Sequence, residues 1–202
     1  LAEVRWEKCR RNLLVGMEDP ELFGPWFNGD TWNAWKVFLA ALFGYRIQGS
    51  GVETYRRYTN RQTIPTSTAR EAWLVVGRRG GKSRVLAMLG TYIACFQDYR
   101  VLLAPGEMAT IPIIASDRKQ ARVIFGYVNG FLENIPALKS MVKEEPKKES
   151  VELTNGVVIE IHTASYRSTR GYSIAACLAD EVAFWRSEDS SNPDVEILKA
   201  IR

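Results

Sequence analysis

Gly77-Arg78-Arg79-Gly80-Gly81-Lys82-Ser83 is the stretch of this chain whose residue types could do chemistry. Glycines let several backbone N–H groups converge on one anion, and a helix that follows turns its positive end toward it. That set suits phosphate: Lys82 would reach the β- and γ-phosphates, and the Ser83 hydroxyl would hold Mg2+. The spacing departs from G-x-x-x-x-G-K-[ST], because the first glycine of that pattern falls on Val76 and Gly77 comes one residue late. The loop alone leaves open a Gly-rich turn with an incidental lysine.

A second run, Ile174 to Ala179, is apolar and ends in Asp180-Glu181. It reads as a buried strand delivering two carboxylates at its C-terminal edge, where parallel α/β sheets hold their ligands. Asp180 would hold Mg2+ beside Ser83, and Glu181 would orient and polarise the water that attacks a γ-phosphate. Neighbouring side chains on a strand point to opposite faces, so the two acids are expected to take different jobs. A strand end meeting solvent is the plain alternative. The pairing of this run with the upstream loop points to nucleotide hydrolysis. Phosphoryl transfer needs further positive charge, and Arg78 inside the loop and Arg170 before the acidic run are placed to supply it. Arg79 contributes loop backbone, and its side chain reads as a surface group.

These residues need elements to position them. Trp73 to Val76 reads as the buried strand that leads into the loop. The helix after Ser83 would bury Val85, Leu86, Leu89, Tyr92, Ile93 and Phe96 on one side. Thr110 to Ala115 reads as a second core strand, with Pro112 favouring its start or a sheet edge. Ser116 or Asp117 would cap the next helix. Ser150–Thr154 and Val157–Thr163 flank Asn155-Gly156, the strongest hairpin signal present. Asp30 opens a helix that Gly44 closes, with Trp32, Trp35, Phe38, Leu39, Leu42 and Phe43 at helical steps, a stripe read as core packing with a share in base stacking as the alternative. Leu1 to Gly16 has helical spacing on a basic face, and residues 45–71 read as a polar loop. Asp194 to Ile201 reads as a further helix. The expected organisation is a helical segment over 1–60 packed on an α/β core over 61–202.

With 202 residues, 46% hydrophobic and 25% charged, the chain is ordinary globular material. Its apolar runs are too short for a membrane span. The net charge of +4 suits a polyanionic partner without requiring one. Cys9, Cys95 and Cys177 are odd in number and widely spaced, so free thiols are expected. His162, the only histidine, reads as structural.

Taken together, GRRGGKS, an Arg170-Gly171 pair ahead of the acidic run, and Asp180-Glu181 followed by Val182-Ala183-Phe184-Trp185 resemble the large terminase subunit of tailed bacteriophages. The resemblance covers roughly residues 30–200, and that family's loops tolerate loss of the first glycine. It implies a P-loop NTPase fold of the additional-strand, catalytic-glutamate type, with a mostly parallel sheet flanked by helices. It implies Mg2+-dependent ATP hydrolysis that drives viral double-stranded DNA into a procapsid. Implied partners are a portal protein, a small terminase subunit and a homo-oligomeric ring, a pentamer, in the host bacterial cytoplasm and at the portal vertex. Arg170 matches the position of the family's trans-acting finger and Arg78 that of its loop arginine. The family's coupling motif and nuclease domain would fall past Arg202, so the chain reads as an ATPase fragment without nuclease activity. A helicase-like translocase and a silent nucleotide-binding module are the rival readings.

Overall fold

A computed structural model describes residues 2–162, 171–185 and 193–201. The chain divides into two compact units, Leu1–Gly80 and Gly81–Arg202. The division falls inside the Gly-rich loop.

The first unit is helical, with α1 Ala2–Arg11, α2 Leu13–Glu18, α3 Gly24–Phe27, α4 Asn33–Phe43 and α5 Ser50–Thr59. The basic N-terminal helix stops at Asn12, whose side chain accepts from the Leu14 N–H and starts α2. In turn, α2 packs on α1, α3 and α4, and α4 packs on α5. A 3₁₀ turn at Asp30–Trp32 leads into α4, and Gly44 ends it at φ 67°, a left-handed stop that glycine adopts without penalty. Of that stripe only Leu39 is buried; Trp32, Trp35, Phe38, Leu42 and Phe43 are half-buried. Most of the stripe is therefore not the core that its spacing suggested.

Two further expectations fail in this unit. Residues 45–71 are not one loop, because Ser50–Thr59 is helical, anchored by the buried Tyr55 and closed at Asn60 in the left-handed region. The strand expected at Trp73–Val76 is absent: residues 71–77 pair with nothing in the sheet, and Val75 is fully exposed. An apolar run becomes a strand only where it joins a ladder, and this one joins none among the described residues.

The second unit holds α6 Lys82–Phe96, β1 Ala109–Ile114, α7 Arg118–Asn134, α8 Pro136–Lys139, β2 Ser150–Glu152, β3 Val157–His162, β4 Ser173–Ile174, β5 Leu178–Ala179 and α9 Pro193–Ile201. The sheet runs β2-β3-β1-β4, with β5 pairing further along the same edge of β1 as β4. All pairs are parallel except the β2–β3 hairpin. That hairpin turns where the sequence placed it, with Gly156 at φ 81°. Asp117 caps α7, its carboxylate accepting from the Gln120 N–H at 2.9 Å.

Ile111 and Ile113 register with Ile159 and Ile161 and share one face, which α6 and α7 cover. Leu178 registers with Ile113 on that same face. There it lies so close to Gly90 of α6 that a Cβ on Gly90 would meet Leu178 Cδ1 at 2.6 Å. The opposite face carries Ile114, which packs with Trp185 and with Ile197 of α9. A mostly parallel sheet flanked by helices is thus what the chain forms. Buried residues occur all round α6, Ala87, Met88, Ala94 and Cys95 among them, so its burial is not one-sided.

Pro112 sits in the middle of β1 rather than at its start. Thr110 and Ile114 offer their carbonyls to Ala175 N and Asp180 N, so Pro112, of the same parity, turns its donorless nitrogen to that edge. The ladder is interrupted there. The expected strand over Ile174–Ala179 accordingly splits into β4 and β5: Ala175 still donates to Thr110, and the ladder lapses at Ala176 and Cys177.

Candidate functional site

The parity of β5 decides where its acids point. Leu178 faces α6, so Asp180, two residues on, faces it as well. Its backbone is fixed at both ends: the N–H donates to Ile114 O at 2.8 Å, and the carbonyl accepts from Trp185 Nε1 at 2.9 Å. Asp180 is 5% exposed. Glu181 then leaves the strand, with φ 52° and ψ 41°, ahead of a 3₁₀ turn over Val182–Phe184. A non-glycine residue in that region is uncommon. It brings the Glu181 side chain back to the side of Asp180 and overturns the expectation of opposite faces.

Both acids meet Lys82, the first residue of α6. Its ammonium lies 3.0 Å from Asp180 Oδ1 and 3.0 Å from Glu181 Oε1. Partial burial pulls the ammonium pKa down, but the hydrogen bonds and charges of Asp180 and Glu181 outweigh it and hold the group above its ordinary 10.5. A buried Asp180 needs such a partner, because an unpaired carboxylate away from water is costly. Ser83 is half-buried in the first turn of α6, beside Lys82 in sequence. The structure therefore brings Lys82, Asp180 and Glu181 together.

The loop ahead of Lys82 has left-handed backbone at Arg79, φ 60°, and at Gly81, φ 83°. Gly80 N–H donates to Gly77 O at 3.2 Å and closes the turn. Arg78 and Arg79 are exposed, and among the described residues neither has an ion-pair partner. Arg170 lies outside the described residues. Trp35 was not expected here; its indole N–H donates to Gly80 O at 2.8 Å. The available signal was that a half-buried tryptophan seeks an acceptor for its one N–H.

The donor chemistry fits the ligands that the sequence suggested. A hydroxyl at Ser83 and a carboxylate at Asp180 are hard oxygen ligands of the kind Mg2+ takes. Lys82 and the loop amides could hold phosphate oxygens. His162 stands apart from this group, its Nε2 2.6 Å from Glu160 Oε1 and its ring edge-on to Tyr172. Cys9, Cys95 and Cys177 are free thiols.

No protein-family model matches the chain, and no curated protein matches it significantly. Among the described residues, no helix is long and apolar enough to cross a membrane.

Proposed function

We propose that this chain is an ATPase domain of the P-loop, catalytic-glutamate type, from a motor that packages viral double-stranded DNA. The observation that carries this reading is Lys82 held 3.0 Å from both Asp180 and Glu181, residues that share no local sequence with it. A phosphate-loop lysine and the two acids of a hydrolytic site are the three groups that such a reaction must assemble. The fold type is proposed on these groups and the loop, not on Trp73–Val76.

In this reading Lys82 and the amides of Gly77 to Ser83 bind the phosphates of ATP. Ser83 and Asp180 hold Mg2+, which when bound neutralises charge on the phosphate oxygens. Glu181 orients and polarises the attacking water. Arg78 and Arg170 stabilise the transition-state charge, one of them from a neighbouring copy in a ring. Double-stranded DNA, a portal protein and a small terminase subunit are the proposed partners, and the host cytoplasm and portal vertex the proposed location.

MgATP titration and turnover, measured over a wide range of protein concentration, test this. Lys82→Ala should lose ATP binding, while Glu181→Ala should bind and turn over about 10²–10⁴-fold more slowly. Specific activity should climb with concentration and stop climbing in Arg170→Ala. If Lys82→Ala binds as wild type does, the loop is misassigned and the reading fails. Binding without turnover in the wild type would favour the silent module.

A further inference from the structure

We infer that Arg56, Arg57 and Tyr58 at the C-terminal end of α5, with Arg61 just beyond it, form a surface that grips the phosphate backbone of duplex DNA. This rests on the DNA-motor reading above and names where such a motor would touch its track. Residues 46–70 hold five arginines and one acid, Glu53, a surplus equal to the net charge of the whole chain, +4. The remainder of the chain is balanced, so the excess is local to this stretch of the helical unit. The arginines of α1, by contrast, are already committed. Arg5 pairs with Asp19 at 3.3 Å and with Glu21, and Arg10 and Arg11 pair with Glu7. Arg56, Arg57 and Arg61 are exposed, and among the described residues none of them has an ion-pair partner.

The group is held in place by the helix end. Thr59 Oγ1 donates to Tyr55 O at 2.8 Å and accepts from the Arg61 N–H at 3.2 Å, so residue 61 is tied to the last turn of α5. Arg57 lies over the Tyr58 ring, its Cζ 5.9 Å from the centroid, and Tyr58 is 72% exposed. A helix C-terminus favours cations, which accounts for Arg56 and Arg57 in the last turn. It accounts neither for Arg61, outside the helix, nor for an aromatic ring left in water beside them. Guanidinium forks and a tyrosine hydroxyl are donors that fix a protein on phosphate oxygens without reading the bases.

The test measures binding of a labelled duplex to the whole chain across a salt series, with MgATP affinity and the unfolding midpoint beside it. In wild type, affinity should fall as salt rises and be alike for A·T-rich and G·C-rich duplexes. The triple variant Arg56→Ala, Arg57→Ala, Arg61→Ala should bind more weakly. Its slope of log affinity against log salt should be shallower by about three, about one per arginine, with MgATP affinity and midpoint unchanged. The double variant Arg10→Ala, Arg11→Ala, which removes cations already paired, should keep the wild-type slope. An equal loss in that double variant would make net charge alone the cause and overturn the inference. A wild-type slope in the triple variant, or equal binding of wild type to polyglutamate, would overturn it too. Wild type that binds MgATP but no duplex sinks this surface and leaves the ATPase site standing. Duplex binding that needs the three arginines, in a chain that binds no MgATP, keeps the surface and fails the nucleotide reading.

Discussion

The Trp185 indole N–H donates to the carbonyl of Asp180 across 2.9 Å, entirely within the interior. A residue five positions downstream thus holds the backbone of the acid that faces Lys82. Trp185 is itself packed against Ile114 and Ile197. Truncation to Ala would remove that packing and leave the Asp180 carbonyl unpaired. Trp185→Ala should lower unfolding free energy by about 3–5 kcal/mol in a denaturant titration. Trp185→Phe, which keeps an aromatic ring but loses the N–H and part of the indole volume, should cost about 1–3 kcal/mol.

Gly90 of α6 lies against Leu178 of β5. A Cβ there would lie 2.6 Å from Leu178 Cδ1, and Leu178 is only 2% exposed and has little room to yield. Gly90→Val should destabilise by about 1–3 kcal/mol, read from the unfolding midpoint. The strain would fall two residues from Asp180, so MgATP affinity should drop with it. Unchanged stability would mean that the helix can slide freely on the strand.

Glu149 receives Arg122 through Nη2 at 2.6 Å, and Arg118 as a second cation. The hydrogen bond from Arg122 is the main cause holding its carboxyl below the ordinary 4.5, and that from Arg118 adds to it. A carboxyl with a lowered folded pKa contributes stability that is present above the unfolded value and lost as pH falls through the folded one. Wild type should therefore be more stable than Glu149→Gln above pH 4.5, and the two should converge in acid. Denaturation midpoints from pH 7 downward would show it. A constant gap at all pH values would assign the difference to something other than charge.

Arg79 adopts φ 60° in the loop and has no ion-pair partner among the described residues. Left-handed backbone costs a residue with a Cβ about 1–2 kcal/mol, and glycine returns part of that gain as unfolded-state entropy. Arg79→Gly should raise stability by under about 1 kcal/mol and leave MgATP affinity unchanged, because only the backbone at this position faces the proposed ligand. A large loss of affinity would give the side chain a role that the geometry does not suggest.

Local signals were the legible ones. Asn155-Gly156 announced its turn because that pair between alternating strands has few other uses, Gly156 taking the left-handed place, and Asp117 and Gly44 marked helix ends by the same kind of local chemistry. The meeting of Lys82 with Asp180 agrees with a reading that put the loop and the acidic run in one site. What escaped depended on partners far along the chain. Trp73 to Val76 is apolar enough for a strand, but composition does not say which edge is free. Residues 50–59 are too polar for a confident periodicity, yet form a helix around Tyr55. Glu181 looked like a continuation of its strand, and nothing in Asp-Glu-Val announces a left-handed turn. Trp35 sat among aromatics that spacing assigned to packing, while its indole N–H makes a hydrogen bond to Gly80 that spacing does not announce.

The interruption of the acidic strand is written on a different strand. Ile174 to Ala179 contains nothing that forbids a continuous ladder, yet none can form while a proline faces it from β1. β4 and the short piece that leads to Asp180 therefore meet β1 as two separate pairings, one on each side of Pro112, each with its own hydrogen bond: Ala175 N–H to Thr110 O and Asp180 N–H to Ile114 O. The break between them is set by Pro112, a residue far from Asp180 in sequence and without a donor of its own.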